Sequence, residues 1–209
     1  MSQGKMRALI VGCLAAVWAI CFSLPFAPSA LADNFPKVIM QTSKGTIVIS
    51  VYTPFVPRNA NNFLDLVGRG FYNGLMFHRV EDWVVQGGDP RGNGTGNFVD
   101  ENGRSRYVPL EIHQALHHSA PGVVAMAHGP NPNSGSCQFY ILKQSRMQID
   151  GKYSIFGGVI RGMDVVNRLQ PGDTIISAEI YNPNPVRRPS PSNLGPVQDL
   201  GGPNGGTGF

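Results

Sequence analysis

The sequence predicts a mainly β fold: a closed antiparallel barrel with two α-helices packed against it. Three features carry this prediction. About eight short stretches are β-rich or alternate apolar with polar residues. Turn residues, chiefly Gly, Pro and Asn, separate them. Only two stretches place apolar residues at helical spacing. Many short strands with few helices fit a sheet closed on itself, with the helices plugging or flanking it. The chain shows no internal repeat.

Taken in order, Lys37 to Met40 and Thr46 to Tyr52 alternate and are β-rich, and the "TSKG" between them turns at Gly45. That is a hairpin, and Pro54 and Pro57 stop it. Val56, Ala60, Phe63, Leu64 and Val67 then recur at helical spacing. Pro57 suits the first helical turn, and Gly68 or Gly70 suits the end. "GFYNGLMFHRV" returns to strand around an Asn73-Gly74 turn, and Val84 to Gln86 is the next strand. Gly87 to Gly103 is a long glycine-rich loop. Val123–Ala127, Gln138–Leu142, Ser154–Ile160 and Thr174–Ile180 are further strands, and Met163–Leu169 is a short helix between the last two.

The ends read differently. Lys5 and Arg7 precede an apolar run from Ala8 to Leu24, and "SALA" closes with Ala30 and Ala32. A basic region, an apolar run and an A-x-A site make residues 1–32 a secretory signal cleaved after Ala32. No stable membrane association is expected after cleavage. Residues 33–181 form the folded domain. Residues 182–209, with 6 Pro and 6 Gly, read as a disordered tail. The net charge of +4 loses Lys5 and Arg7 with the signal and becomes +2, so nothing demands a nucleic-acid partner. Cys13 and Cys21 leave too, and a lone Cys137 cannot form an internal disulfide. The exported domain must therefore be held by its core.

Several motifs lack the context their chemistry needs. "GNGTGN", Gly92 to Asn97, has no helix after it to hold a phosphate, so it reads as a surface loop. His113 and His117 are four apart, with His118 and His128 nearby. Pro109, Ser119 and Pro121 leave little room for a helix there, and no His-Glu-x-x-His or Cys partner accompanies them. No metal or cofactor is expected. Cys137 has no base to activate it and reads as packing.

What is left is "FHRV…WVVQGGD", "GVVAMAHGPNPNSGSCQFYI" and "IDGKYSIFGGVIRGMDVV". These segments offer an arginine, two glutamines and several aromatic or apolar residues, without an activated nucleophile. Such a surface suits binding a peptide and doing chemistry without covalent steps. In this order the segments resemble the cyclophilin family of peptidyl-prolyl cis–trans isomerases, over roughly Val38 to Ile180. "NFLDLVGRGFYNGLMFHRV" is similar to its bacterial and organellar branch. The resemblance implies an eight-stranded closed antiparallel β-barrel capped by two helices.

It also implies site roles. Arg79 falls on the catalytic arginine and Gln86 on the glutamine that binds substrate backbone. Trp83 falls on the aromatic under the proline ring, with Val84 next to it where methionine is frequent. Ala127 and His128 fall on the family's "MANA" segment, His128 standing where asparagine is common. Gln138 and Tyr140 fall on the "SQFF" glutamine and second aromatic, and Ile149 and Tyr153 on the following pocket wall. Two departures stand out. The run from Arg79 to Gln86 is one residue shorter than in most relatives, and Trp83 aligns if the deletion precedes it. Gln148 stands where relatives sensitive to cyclosporin have tryptophan.

The resemblance implies a monomeric prolyl isomerase acting on proline-containing polypeptides, and the signal places it in a periplasm or a thylakoid lumen, assisting the folding of exported proteins. The alternative is a peptide-binding scaffold or chaperone on the same fold with little isomerase activity. Arg79 has an alternative of its own: a structural ion pair with Glu81 or Asp82.

Overall fold

Alternation along the first hairpin folds as expected. In the computed structural model β1 (Lys37–Thr42) pairs with β2 (Gly45–Val51), and Val38 and Met40 face inward opposite Ile49 and Ile47. The structure describes residues 35–181, so the signal and tail expectations fall outside the described residues.

α1 (Pro57–Gly68) begins with Pro at its first turn and has no side-chain cap of its own. Its unpaired N–H groups are met from a distance: the Glu111 carboxylate accepts from the Arg58 and Asn59 amides at 3.1 and 2.8 Å. The face it buries carries Ala60, Phe63, Leu66 and Val67. Leu66 adds to the expected stripe, three residues from Phe63 on the same helical face, and Leu64 packs against the core partly buried.

The remaining strands are β3 (Phe77–Val80), β4 (Val84–Gly87), β5 (Val123–Met126), β6 (Phe139–Leu142), β7 (Ile155–Arg161) and β8 (Ile175–Ile180), with α2 (Met163–Arg168) between the last two. A 3₁₀ turn, Met147–Ile149, follows β6 and has no counterpart in the sequence reading. All eight strands form one antiparallel curled sheet in the order β3-β4-β6-β5-β7-β2-β1-β8. Its two edges, β3 and β8, share no ladder. They meet at one bridge, Met76 with Thr174, supported by Gly74 N–H to Ile175 O at 2.7 Å and Phe77 N–H to Asp173 O at 2.8 Å.

Strand alternation sorts the side chains of this sheet onto two faces. Inside lie Phe77, Val85, Val124, Met126, Phe139, Ile141 and Phe156, packed with Phe63 and Tyr72. Outside, Val84, Ala125, Tyr140, Leu142 and Ile155 form a second buried cluster, against which Trp83, Ala127, Ile149 and Tyr153 pack. Each large side chain fully withdrawn from water contributes about 1.5–3 kcal/mol, so the inner cluster dominates stability.

Candidate active site

The outer cluster is bordered by a polar chain that begins at Arg79. How Arg79 reaches the outer face is a matter of register. Phe77 pairs with Gly87, but Arg79, two residues on, pairs with Gln86, only one residue back, so His78 is the extra residue of a β-bulge. Without the bulge, Arg79 would share the inward side of Phe77. With it, Arg79 turns to the side of Gln86, as bulges re-aim side chains. His78 absorbs the distortion: its Nδ1 is buried with no hydrogen-bond partner among the described residues. Burial lowers its pKa, with Asp89 opposing.

From Arg79 the chain runs through two glutamines. Arg79 Nη1 donates to Gln86 Oε1 at 3.2 Å, and Gln86 Nε2 donates to Gln138 Oε1 at 3.0 Å. Gln138 Nε2 donates to the carbonyls of Gly94 and Gly96 at 3.1 and 2.9 Å. Those carbonyls are held by the glycine-rich loop, which folds around buried Asp89. The Asp89 carboxylate accepts from the amides of Arg91, Asn93 and Gly94. Burial alone would raise the Asp89 pKa; these amide bonds bring it below the usual carboxylate range. A Cβ at Gly96 would collide with Asp89 Oδ1 and crowd the Pro90 ring, so glycine suits the cradle. The loop is thus a clamp for Gln138, and its signal, "GGDP" before a glycine run, was present in the sequence.

Behind the polar chain lies the apolar floor. Gln86 pairs with Tyr140, and Tyr140 with Ala125, across adjacent strands. Tyr140 packs edge-on against Tyr153 at 5.5 Å between centroids, and His128 stacks on Tyr153 at 4.5 Å. The two ring nitrogens of His128 lie 2.7 Å from Gly129 O and Lys152 O, fixing the ring in place. Trp83 lies on this outer side, its ring covered by the guanidinium of Arg146 at 4.6 Å. The residues singled out from the sequence therefore divide in two. Arg79, Gln86 and Gln138 form the polar mouth; Trp83, Val84, Ala127, Tyr140, Ile149 and Tyr153 form or border the floor, with His128 at its rim.

Sequence reasoning missed what stands under Tyr140. His118, with no exposed surface, has Nε2 2.8 Å from the Tyr140 hydroxyl and Nδ1 2.8 Å from Asp150 Oδ1. An ionised carboxylate only accepts, so Nδ1 carries the proton and Nε2 accepts from the tyrosine O–H. Burial lowers the His118 pKa, and Asp150 only partly offsets this. Among the described residues no group of three or more His, Cys, Asp or Glu is placed to hold an ion. Cys137 is buried, and burial pushes its thiol up to about 12.

Comparison with known proteins shows the family. The sequence model of the family described as "Cyclophilin type peptidyl-prolyl cis-trans isomerase/CLD" matches residues 37–188. The chain belongs to the cyclophilin-type peptidyl-prolyl cis–trans isomerases. It is 41% identical over 138 residues to the Arabidopsis thaliana peptidyl-prolyl cis-trans isomerase CYP18-2, covering 64% of this chain and 80% of the relative. Against the human peptidyl-prolyl cis-trans isomerase-like 1 it is 38% identical over 138 residues, covering 64% and 79%. A crystal structure of a Cryptosporidium parvum cyclophilin-type isomerase, obtained in the presence of the dipeptide Ala-Pro, superposes with a TM-score of 0.64 at 30% identity, covering 70% of this chain and 99% of that one. This cyclophilin is thus an enzyme whose reaction is rotation about the bond preceding proline.

Proposed function

We propose that this isomerase binds proline-containing polypeptides across the mouth formed by Arg79, Gln86 and Gln138, with the proline ring on the floor of Trp83, Val84, Tyr140, Ile149 and Tyr153. The observation that carries the reading is Arg79 itself: a bulge brings a charged group to the edge of an apolar cluster, and Gln86 holds it there. That the C. parvum isomerase structure was obtained in the presence of the dipeptide Ala-Pro supports the substrate class.

The chemistry follows from the amide. Resonance sets a barrier of about 18–20 kcal/mol, and unaided X–Pro rotation takes tens to hundreds of seconds. Bringing ~100 s to ~1 ms requires about 7 kcal/mol off that barrier. Midway through the rotation the proline nitrogen loses conjugation and gains a lone pair. Arg79 can donate to that nitrogen only then, so the contact favours the transition state over the ground state. One such charge-assisted bond contributes roughly 1.5–3 kcal/mol. The rest comes from holding the ring still in an apolar site while Gln86 and Gln138 grip the flanking backbone.

In a protease-coupled isomerisation assay, Arg79→Ala is expected to cut turnover at least tenfold with an unchanged melting curve. Near-wild-type turnover would remove Arg79 from the chemistry. A wild-type chain without activity that still bound peptides would favour the scaffold reading.

The same reading includes export. Residues 1–32 have the order of a cleaved signal, which supports action on exported proteins in a periplasm or thylakoid lumen, as a monomer of the bacterial and organellar branch. Mass spectrometry of the mature chain should find Asp33 first; an intact N-terminus in the membrane fraction would overturn this. We also infer that the curled sheet behaves as a closed barrel, its edges held at Met76 and Thr174.

A further inference from the structure

Glu81 touches both halves of the site. Arg79 lies in β3, and Glu81 and Trp83 lie in the turn that follows it. Glu81 Oε1 accepts from Arg79 Nε at 2.7 Å, and Glu81 Oε2 accepts from Trp83 Nε1 at 2.7 Å. The guanidinium carbon of Arg79 in turn lies 5.3 Å from the indole centroid. The three side chains close a ring of contacts around one carboxylate.

The backbone that presents this carboxylate is itself tied down. Glu81 N–H donates to Val84 O at 2.8 Å, closing the short turn between β3 and β4. From the end of β6, Lys143 N–H donates to Trp83 O at 2.8 Å, Lys143 Nζ to Glu81 O at 3.1 Å, and Gln144 Nε2 to Asp82 O at 3.2 Å. The hydrogen bond from Arg79 is the main reason the Glu81 carboxyl lies below its usual range, so it is ionised at neutral pH.

We propose that Glu81 is a positioning residue for the isomerase reaction. It fixes the Arg79 guanidinium by its Nε edge while Gln86 holds Nη1, leaving the other N–H groups to face a peptide. The same carboxylate fixes the edge of the Trp83 ring against the outer cluster. The inference rests on the reading of Arg79 and Trp83 given above. Because the Arg79–Glu81 pair is roughly half-exposed, at 43% and 45%, it contributes little to global stability. Its contribution is to geometry: an arginine left to its own rotamers would spend most of its time out of line.

The test uses the full chain and measures kcat and KM separately on an X–Pro peptide, together with indole emission, with Trp83→Phe identifying the contribution of Trp83. Glu81→Ala should lower kcat three- to tenfold, leave KM within about twofold and shift the Trp83 emission, with an unchanged melting temperature. Glu81→Gln, which keeps the shape but has one acceptor oxygen, should fall between it and the wild type. Unchanged or raised kcat in Glu81→Ala, with Arg79→Ala inactive, would overturn the role of Glu81 while leaving Arg79 in place. Full activity in Arg79→Ala would overturn both. A melting temperature that falls in step with kcat, in the Gln variant as well, would make Glu81 a structural residue and overturn the proposal.

Discussion

Two hydrogen-bonded chains adjoin the outer apolar cluster, and they are built differently. At the mouth, Glu81, Arg79, Gln86 and Gln138 are linked in series while still reaching solvent. Under the floor, Asp150, His118 and Tyr140 are linked in series with His118 sealed from water. The same kinds of bond have different consequences in the two places. Near solvent a broken bond is replaced by water, so the mouth chain orients groups without stabilising the fold much. In the interior nothing replaces it, so the buried chain stabilises the fold in proportion to what its loss would leave unpaired. On the proposed reading, the polar mouth is the chain that can rearrange cheaply, while Tyr140 in the floor is held by the fully buried His118.

The largest expected effect breaks the buried chain. His118→Ala should lower unfolding free energy by about 3–5 kcal/mol, combining a lost buried ring with a Tyr140 hydroxyl left without a partner. Denaturant unfolding checks this. A loss under about 1 kcal/mol would mean that the buried chain is no more stabilising than the exposed one. Arg79→Ala is the mirror image: turnover falls at least tenfold while the unfolding curve stays put. A variant that moved both quantities together would erase the distinction between the two chains.

How much of this was legible beforehand follows the same divide. The hairpin of β1 and β2, both helices and the strands that carry the site are written locally, in alternation and in Pro and Gly positions. Arg79, Gln86, Gln138 and Tyr140 stand out only because the segments around them resemble a family. Other features are not local. The bulge at His78 that turns Arg79 outward depends on pairing with β4. The strand order that sets β4 beside β6 cannot be read from any single segment. His118 looked like part of a histidine group of uncertain purpose; its partners lie 22 and 32 residues away, a separation no spacing rule covers. Glu81 has a signal in being one of two acids just after Arg79, and the ion pair that is the alternative reading of Arg79 does form, beside the Gln86 hydrogen bond.

The last and smallest effect is a difference in acid sensitivity. His118 has its pKa lowered from 6.5, chiefly by burial, against the opposing attraction of Asp150; His117, which also contacts Asp150, adds to the lowering. A depressed folded-state pKa means that the unfolded chain binds the proton first. The stability this contributes is complete above about 6.5, and it is lost as pH falls from there through the folded-state value, by at most about 1.4 kcal/mol per pH unit. His78 is shifted the same way and adds to the slope, so the His118 share is read as a difference. His118→Gln should melt with a shallower dependence on pH between about 7 and 5 than the wild type. The mouth should be indifferent over that range, since the Arg79 hydrogen bond holds the Glu81 carboxyl below its ordinary value of 4.5 and it stays ionised. Turnover per folded molecule should accordingly remain level while the melting temperature declines. If the wild type and His118→Gln lost stability in parallel, the sealed histidine would not be the proton-sensitive member. If turnover fell along with stability, the two chains would be coupled through Tyr140 rather than separated by it.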